Sequence, residues 1–377
     1  MANASRRILP WLSLAALPCA MFFACSNDEG APATLDENDA STSADRSVQE
    51  IEDGSTASDA SLGEETAVDA GYPVYDGGTA GNGDFTNGPT FTKAPEFTVP
   101  AAAPRGKVYA FNMDSKTSKI YPGISGAYTR AVSVYVPKQV LSGVATPFIV
   151  VQDGSGFVAS MKDALDTLIF QKRVPPMVAI MINPGPGDGR GSERGLEYDR
   201  VSEDYTTFIE TEVLPIVPKV AAIKADIANL VFTSNPEGRA SMGCSSGGAA
   251  AFTMGWFRPD LYRRILTYSG TFVNQYPEAA YPHGAWGYHE SLIAAAATKP
   301  LRVFLQVGED DNNLDASFKD AMHNWITANK AMASVLKTKG YPYRFVFSKG
   351  AKHCDGGVRS EILPGSLEWL WQGYPIP

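Results

Sequence analysis

Apolar, strand-like runs that alternate with helical stretches over residues 105–375 predict an α/β fold, a mostly parallel central sheet with helices on both faces. Two further observations agree with it. The run Gly243-Cys244-Ser245-Ser246-Gly247 joins a short apolar strand to an Ala-rich helix, the sharp turn that lifts a serine hydroxyl out of such a sheet. His353 follows the last predicted strand, 108 residues after that serine. One domain is expected over residues 90–377.

Residues 105–115 and 130–137 read as strands, the second with apolar side chains at alternate positions. Residues 147–152 form a near-continuous apolar run, the pattern of a strand buried on both faces, and open into Asp153-Gly154-Ser155-Gly156. A helix is predicted over 158–172. A second buried strand, 177–183, ends in Pro184-Gly185-Pro186-Gly187, which cannot be helical. Residues 204–217 read as a helix with Phe208, Val213 and Leu214 on one side. A short strand at 239–243 leads through the serine turn into a helix over 246–257. Residues 265–268 and 302–307 are further strands, 316–339 a long helix and 343–347 the last strand.

Composition divides the 377 residues unevenly. Arg6 and Arg7 precede an apolar run from Ile8 to Ala24 broken by Pro10 and Pro18. A spanning helix needs about 20 apolar residues, so residues 1–25 read as an export signal. The run ends Phe22-Phe23-Ala24-Cys25 before Ser26-Asn27-Asp28-Glu29. That ending resembles a bacterial lipoprotein processing site with Cys25 as the lipid anchor, although Phe22 stands where Leu is usual. The expected location is the cell envelope, with soluble secretion and an uncleaved anchor as the alternatives.

Residues 26–89 hold 15 acidic residues and one basic residue, Arg46, with few large apolar side chains. Burial cannot offset the ordering entropy of such a stretch, so a disordered acidic tether is expected. About 64 coil residues reach on the order of 45 Å. The chain carries −9 overall; the tether supplies −14 and the signal +2, which leaves +3 on residues 90–377. No basic stripe, phosphate-cradling glycine loop or zinc-like Cys/His spacing occurs, so nucleic-acid and nucleotide readings have no support. No metal or cofactor is expected.

Serine becomes a nucleophile when a base takes its proton and dipoles await the oxyanion. Ser245 is the candidate nucleophile. The N–H of Ser246, at the positive end of the following helix, is one candidate oxyanion donor. The second is expected from the loop after the 147–152 strand, with Gly154 and Ser155 as candidates and Asp153 holding the loop. Of the four histidines only His353 directly follows a strand, within a Gly-flanked loop. The acid is expected in Gly308-Glu309-Asp310-Asp311-Asn312, with Asp311 favoured and Asp310 and Glu309 as rivals; its task is to orient the imidazole. Cys244 and Cys354 neighbour the serine and the histidine. If those two meet, the cysteines meet also, and an oxidising compartment permits a bridge. Such a bridge closes a loop of about 110 residues, an upper contribution of about 4–5 kcal/mol; two separate buried thiols are the alternative.

Four segments together resemble the enterochelin-esterase-like branch of the α/β-hydrolases, near the feruloyl and acetyl-xylan esterases. They are Arg194-Gly-Leu-Glu-Tyr-Asp-Arg-Val-Ser-Glu-Asp-Tyr-Thr-Thr-Phe-Ile-Glu, Arg239-Ala-Ser-Met-Gly-Cys-Ser-Ser-Gly-Gly, Trp256-Phe-Arg-Pro-Asp-Leu-Tyr and Trp369-Leu-Trp. The resemblance spans about 105–375 and implies Ser245 as nucleophile, His353 as base and an acid in the 308–311 loop. Cys244-Ser245, Asp311 and His353-Cys354 are also similar to the Cys-Ser…Asp…His-Cys arrangement of tannases and fungal feruloyl esterases, where the cysteines are bridged. Two departures point away from a siderophore substrate: the modest +3 of the folded part, and an acidic segment where cytosolic enterochelin esterases carry an N-terminal sandwich domain.

The expectation is a metal-independent serine carboxylesterase acting on a small-molecule or polysaccharide ester through an acyl-enzyme. Acyl transfer of the mycolyltransferase type and a non-catalytic surface binding module are the alternatives. Tyr198, Trp286, Tyr288 and Trp325 are candidate sugar or aryl contacts, with packing as the competing role.

Overall fold

The computed structural model describes residues 75–313 and 321–377. The export signal, Cys25 and most of the predicted tether lie outside the described residues. Nine strands form one sheet: β1 (Gly83–Asn87), β2 (Lys107–Asp114), β3 (Thr129–Val136), β5 (Phe148–Gln152), β6 (Val178–Ile182), β8 (Arg239–Cys244), β9 (Arg264–Tyr268), β10 (Arg302–Asp310) and β11 (Tyr343–Lys352). Their order is β1-β11-β10-β9-β8-β5-β6-β3-β2. Two short strands, β4 (Ala145–Thr146) and β7 (Val231–Phe232), pair separately. From β1 to β6 every neighbouring pair is parallel; β3 and β2 join antiparallel at the far edge.

The helices are α1 (Val158–Phe170), α2 (Glu193–Tyr198), α3 (Asp204–Phe208), α4 (Ala221–Asp226), α5 (Ser246–Phe257), α6 (Ile293–Ala295), α7 (Trp325–Thr338) and α8 (Gly356–Leu370). On one face Met161, Leu165 and Leu168 of α1 and Leu363 and Leu367 of α8 pack on Ile149, Val151, Ala179 and Met242. On the other, Ala250 and Met254 of α5 meet Phe148, Val150 and Ile180, while Met332 and Leu336 of α7 cover Ile265, Val303 and Leu305. Strand β5 is buried at all five positions because helices cover both sides, which is why it reads as an unbroken apolar run.

Three elements differ from expectation. Residues 83–87, placed in the tether, form β1 and pair with β11 from Gly83 opposite Arg344 to Asn87 opposite Ser348. Its positions are exposed or half-buried, and a strand whose one large apolar residue, Phe85, faces solvent leaves no apolar signature. The helix predicted over 204–217 is α3 followed by a π turn at Ile209–Val213. Of the helix predicted over 316–339, residues 316–320 lie outside the described residues, residues 321–324 are not helical, and α7 begins at Trp325. No described helix is long and apolar enough to cross a membrane.

Candidate active site

The site is built at the carboxyl ends of β5, β8, β9, β10 and β11, the edge where open α/β sheets place their ligands. Ser245 closes β8 and precedes α5 with φ 58° and ψ −132°. A side chain held in that region is strained, so surrounding contacts must hold it there. The Ser245 N–H donates to the Tyr268 carbonyl at 3.0 Å, and the Thr271 N–H donates to the Ser245 carbonyl at 3.0 Å. Gly243 is required by crowding, since a Cβ there would lie 2.4 Å from the Gly247 carbonyl carbon. Four of the five described non-glycine residues with positive φ are Asp153, Ser245, Ser269 and Cys354. Backbone strain is thus concentrated where the loops converge.

Strands β11 and β8 are separated by β10 and β9, roughly 14 Å at the usual strand spacing. The loop after β11 therefore has to run back across the ends of both strands. Cys354, at φ 51°, turns it, and its N–H donates to the Ser269 hydroxyl at 3.0 Å. The disulfide Cys244–Cys354, with Cα atoms 6.0 Å apart, joins the two ends. His353 Nε2 then lies 2.9 Å from Ser245 Oγ, and His353 Nδ1 lies 2.6 Å from Asp311 Oδ1.

Asp311 follows an irregularity between Gly308 and Asp310 in the β10–β11 register. The Asp311 carboxylate is fully enclosed, with side-chain exposure 0%. It accepts from the Ser269 hydroxyl at 2.6 Å and from the Asn312 N–H at 2.7 Å. Burial pushes its pKa up, but the His353 hydrogen bond and charge, with Ser269 and Asn312, outweigh burial and hold it below its ordinary 3.8. Asp310 and Glu309 are both exposed. Glu309 accepts from the Gly350 N–H at 3.0 Å, so of the three acids only Asp311 faces the imidazole.

The β5 loop reaches the start of α5. A Cβ on Gly247 would sit 2.7 Å from Asp153 Oδ2, and one on Gly154 would strike the Met181 carbonyl carbon at 2.2 Å. Arg194 holds Asp153 with two parallel bonds, Nε to Oδ1 and Nη2 to Oδ2, each 3.0 Å. The Ser155 N–H donates to Asn183 Oδ1 at 2.9 Å, which commits it to that contact. Ser246 is the first residue of α5, where N–H groups lack intrahelical acceptors.

Three predicted aryl contacts are corrected by burial. Tyr198 is 1% exposed, Tyr288 0% and Trp325 4%. Tyr288 bonds the Thr253 hydroxyl at 2.8 Å, Tyr198 packs edge-on against Tyr205, and the Trp325 indole donates to Thr271 Oγ1 at 3.2 Å. All three lie in helical turns, where their rings bury a large apolar area and their polar atoms find partners. Trp286 is half-buried against His289, and Ser155 is exposed. Ser269, Thr271 and Asp199 escaped sequence reasoning. The signal for the first two was their position just past a predicted strand at the sheet's functional edge. Asp199, beyond α2, is 2% exposed with neither carboxylate oxygen in a hydrogen bond of good geometry. Burial raises its pKa to about 7, with the nearby Ser246 side chain offsetting part of that rise. Among the described residues no cluster of His, Cys, Asp and Glu could hold a metal.

Solved structures of known proteins share this fold. The ferric enterobactin esterase of Salmonella typhimurium superposes with TM-score 0.54 at 20% identity, over 74% of this chain and 61% of that one. The CE1 ferulic acid esterase of the anaerobic fungus Anaeromyces mucronatus superposes with TM-score 0.52 at 14% identity, over 75% and 98%. The chain thus spans about three fifths of the enterobactin esterase and nearly all of the ferulic acid esterase; at these identities the likeness is one of fold. "Uncharacterized protein YbbA" of Bacillus subtilis (strain 168) is 23% identical over 236 residues, 60% of this chain and 85% of that one. The Esterase family ("Putative esterase") matches residues 127–356, and the chain belongs to that family.

Proposed function

We propose that the chain is a serine carboxylesterase working through an acyl-enzyme, with Ser245 as nucleophile, His353 as base and Asp311 as orienting acid. The observation that carries this reading is the unbroken chain of hydrogen bonds Ser245–His353–Asp311 at 2.9 and 2.6 Å. Ser245 Oγ attacks the ester carbonyl while His353 Nε2 takes its proton. The carbonyl oxygen becomes an oxyanion facing the N–H groups of Ser246 and Gly154. Collapse breaks the bond to the alcohol, which leaves with the proton from His353. Water then repeats the sequence and frees the acid. Asp311 holds Nδ1–H and offsets the charge on the imidazolium without taking its proton.

The substrate class this reading favours is a feruloyl or acetyl-sugar ester, on the strength of the fold shared with a ferulic acid esterase. Cys25, outside the described residues, would hold the enzyme at the cell envelope as a lipoprotein. The test is a panel of p-nitrophenyl, feruloyl and acetyl-sugar esters, with and without added sugar acceptors. Ser245→Ala is expected to lower kcat at least about 10³-fold on every ester the wild type cleaves. A variant that retains wild-type turnover refutes the reading, and transfer products in place of free acid would make the enzyme an acyltransferase.

A further inference from the structure

Thr271 is 1% exposed, yet its hydroxyl lies 3.4 Å from Ser245 Oγ. Its backbone is pinned on both sides: the Thr271 N–H donates to the Ser245 carbonyl at 3.0 Å, and the Gly270 carbonyl accepts from Asn329 Nδ2 at 2.8 Å. Proton bookkeeping fixes the direction of the hydroxyl contact. The Trp325 indole N–H is a donor only, so at 3.2 Å Thr271 Oγ1 must accept from it. His353 Nδ1–H is given to Asp311, so Nε2 accepts and the Ser245 proton is committed to it. The one hydrogen left for the Ser245–Thr271 contact is the threonine's own.

We propose that Thr271 is a further catalytic residue whose hydroxyl, set by the Trp325 indole, donates to Ser245 Oγ and hastens its departure from the acyl-enzyme. The inference rests on the serine-esterase reading above. In deacylation water attacks the acyl carbon, and His353 takes the water proton. The tetrahedral intermediate then breaks its C–Oγ bond, and the electron pair moves onto Oγ, which recovers a proton from the imidazolium. Thr271 transfers no proton; its hydrogen bond strengthens as charge builds on Oγ.

The effect is unequal between the two half-reactions. Before deacylation Oγ is an ester oxygen, a poor acceptor, so the donor gains most on going to the transition state. Before acylation Oγ is a hydroxyl oxygen that already accepts the bond. Only an interaction stronger in the transition state than in the ground state raises the rate, so the donor acts chiefly on deacylation. Trp325 is a positioning residue in the same relay, its ring edge-on to the His353 imidazole with centroids 5.8 Å apart.

The experiment is stopped-flow hydrolysis of p-nitrophenyl acetate by the full chain, wild type and variants, with active sites counted by a serine-directed phosphonate. Thr271→Val keeps the shape and removes the donor. It is expected to slow single-turnover decay of the acyl-enzyme about 10-fold, the loss of one neutral hydrogen bond. KM should fall with kcat and leave kcat/KM within about 2-fold, with a p-nitrophenol burst approaching one per site. Thr271→Ser should restore wild-type decay, and Trp325→Phe should fall between. If Thr271→Val does not fold, Thr271→Ala is measured for the same decay. Unchanged decay in a folded variant, or equal losses in kcat and kcat/KM without a burst, overturns the proposal. A wild type that neither turns over nor takes the phosphonate fails the esterase reading instead.

Discussion

At the scale of the residue, Asp311 and Asp310 separate a working acid from a neighbouring charge. The two adjacent carboxylates differ in environment: Asp311 is enclosed and bonded to His353, Ser269 and Asn312, while Asp310 is exposed. Asp311→Asn is expected to lower kcat by about 10³–10⁴-fold, because an amide no longer holds the imidazole in the right tautomer. Asp310→Asn should leave kcat within about 3-fold, and steady-state kinetics on one ester checks both. The sign of the pH effect follows from the lowered Asp311 pKa. Its carboxylate contributes stability above the ordinary value near 3.8, and that contribution is lost as pH falls through the lower folded value. Protonation of Asp311 therefore adds no acid limb to kcat above about pH 4. Sequence reading placed the acid in the 308–312 loop, with Asp311 favoured over its two neighbours. It did not single out Ser269 or Thr271, because hydroxyls after a strand are common and their partners, Asp311 and the Cys354 N–H for the one, Ser245 and the Trp325 indole for the other, come from distant parts of the chain.

At the scale of the element, the loop from β11 back to β8 is the part most dependent on a covalent tie. It crosses two strand ends, turns at a strained Cys354 and is held by the disulfide and the Ser269 bond. Reduction under native conditions is expected to lower kcat several-fold while the far-UV circular dichroism is unchanged, since a misplacement near an ångström is enough to weaken catalysis. Parallel loss of activity and helical signal would show that the bridge supports the whole fold instead. The bridge was legible because Cys244 and Cys354 each adjoin a motif residue, so closing one pair implied the other. The buried strands β5 and β6 were legible too, as unbroken apolar runs. Strand β1 was not: its pairing is made by the backbone along the exposed edge of β11, where side chains carry no pattern.

At the scale of the whole molecule, the described fold stores a cost in Asp199. Its raised pKa of about 7 means that the protonated form suits the folded state, so this stability is fully present below the unfolded value near 3.9. It is lost as pH rises towards 7, an upper figure of about 4 kcal/mol. Asp199→Asn mimics the protonated acid at every pH. Its melting temperature should exceed that of the wild type by a margin that widens from pH 4 to pH 7 and then levels; a margin independent of pH would contradict this. The α/β architecture was readable from periodicity, because a mostly parallel sheet requires its helices in sequence between its strands, and the esterase family from the resemblance of four segments. The N-terminal boundary was misplaced to residue 89, since acidic composition continues into the segment that forms β1.

The proposed mechanism requires Ser245 Oγ to be the atom that attacks. Intact-mass and peptide mass spectrometry after treatment with a fluorophosphonate tests this directly. The predicted result is one adduct per chain on Ser245, absent in His353→Ala over the same interval, with esterase activity lost in proportion to labelling. Full esterase turnover with no adduct, or with the adduct on another residue, would contradict it.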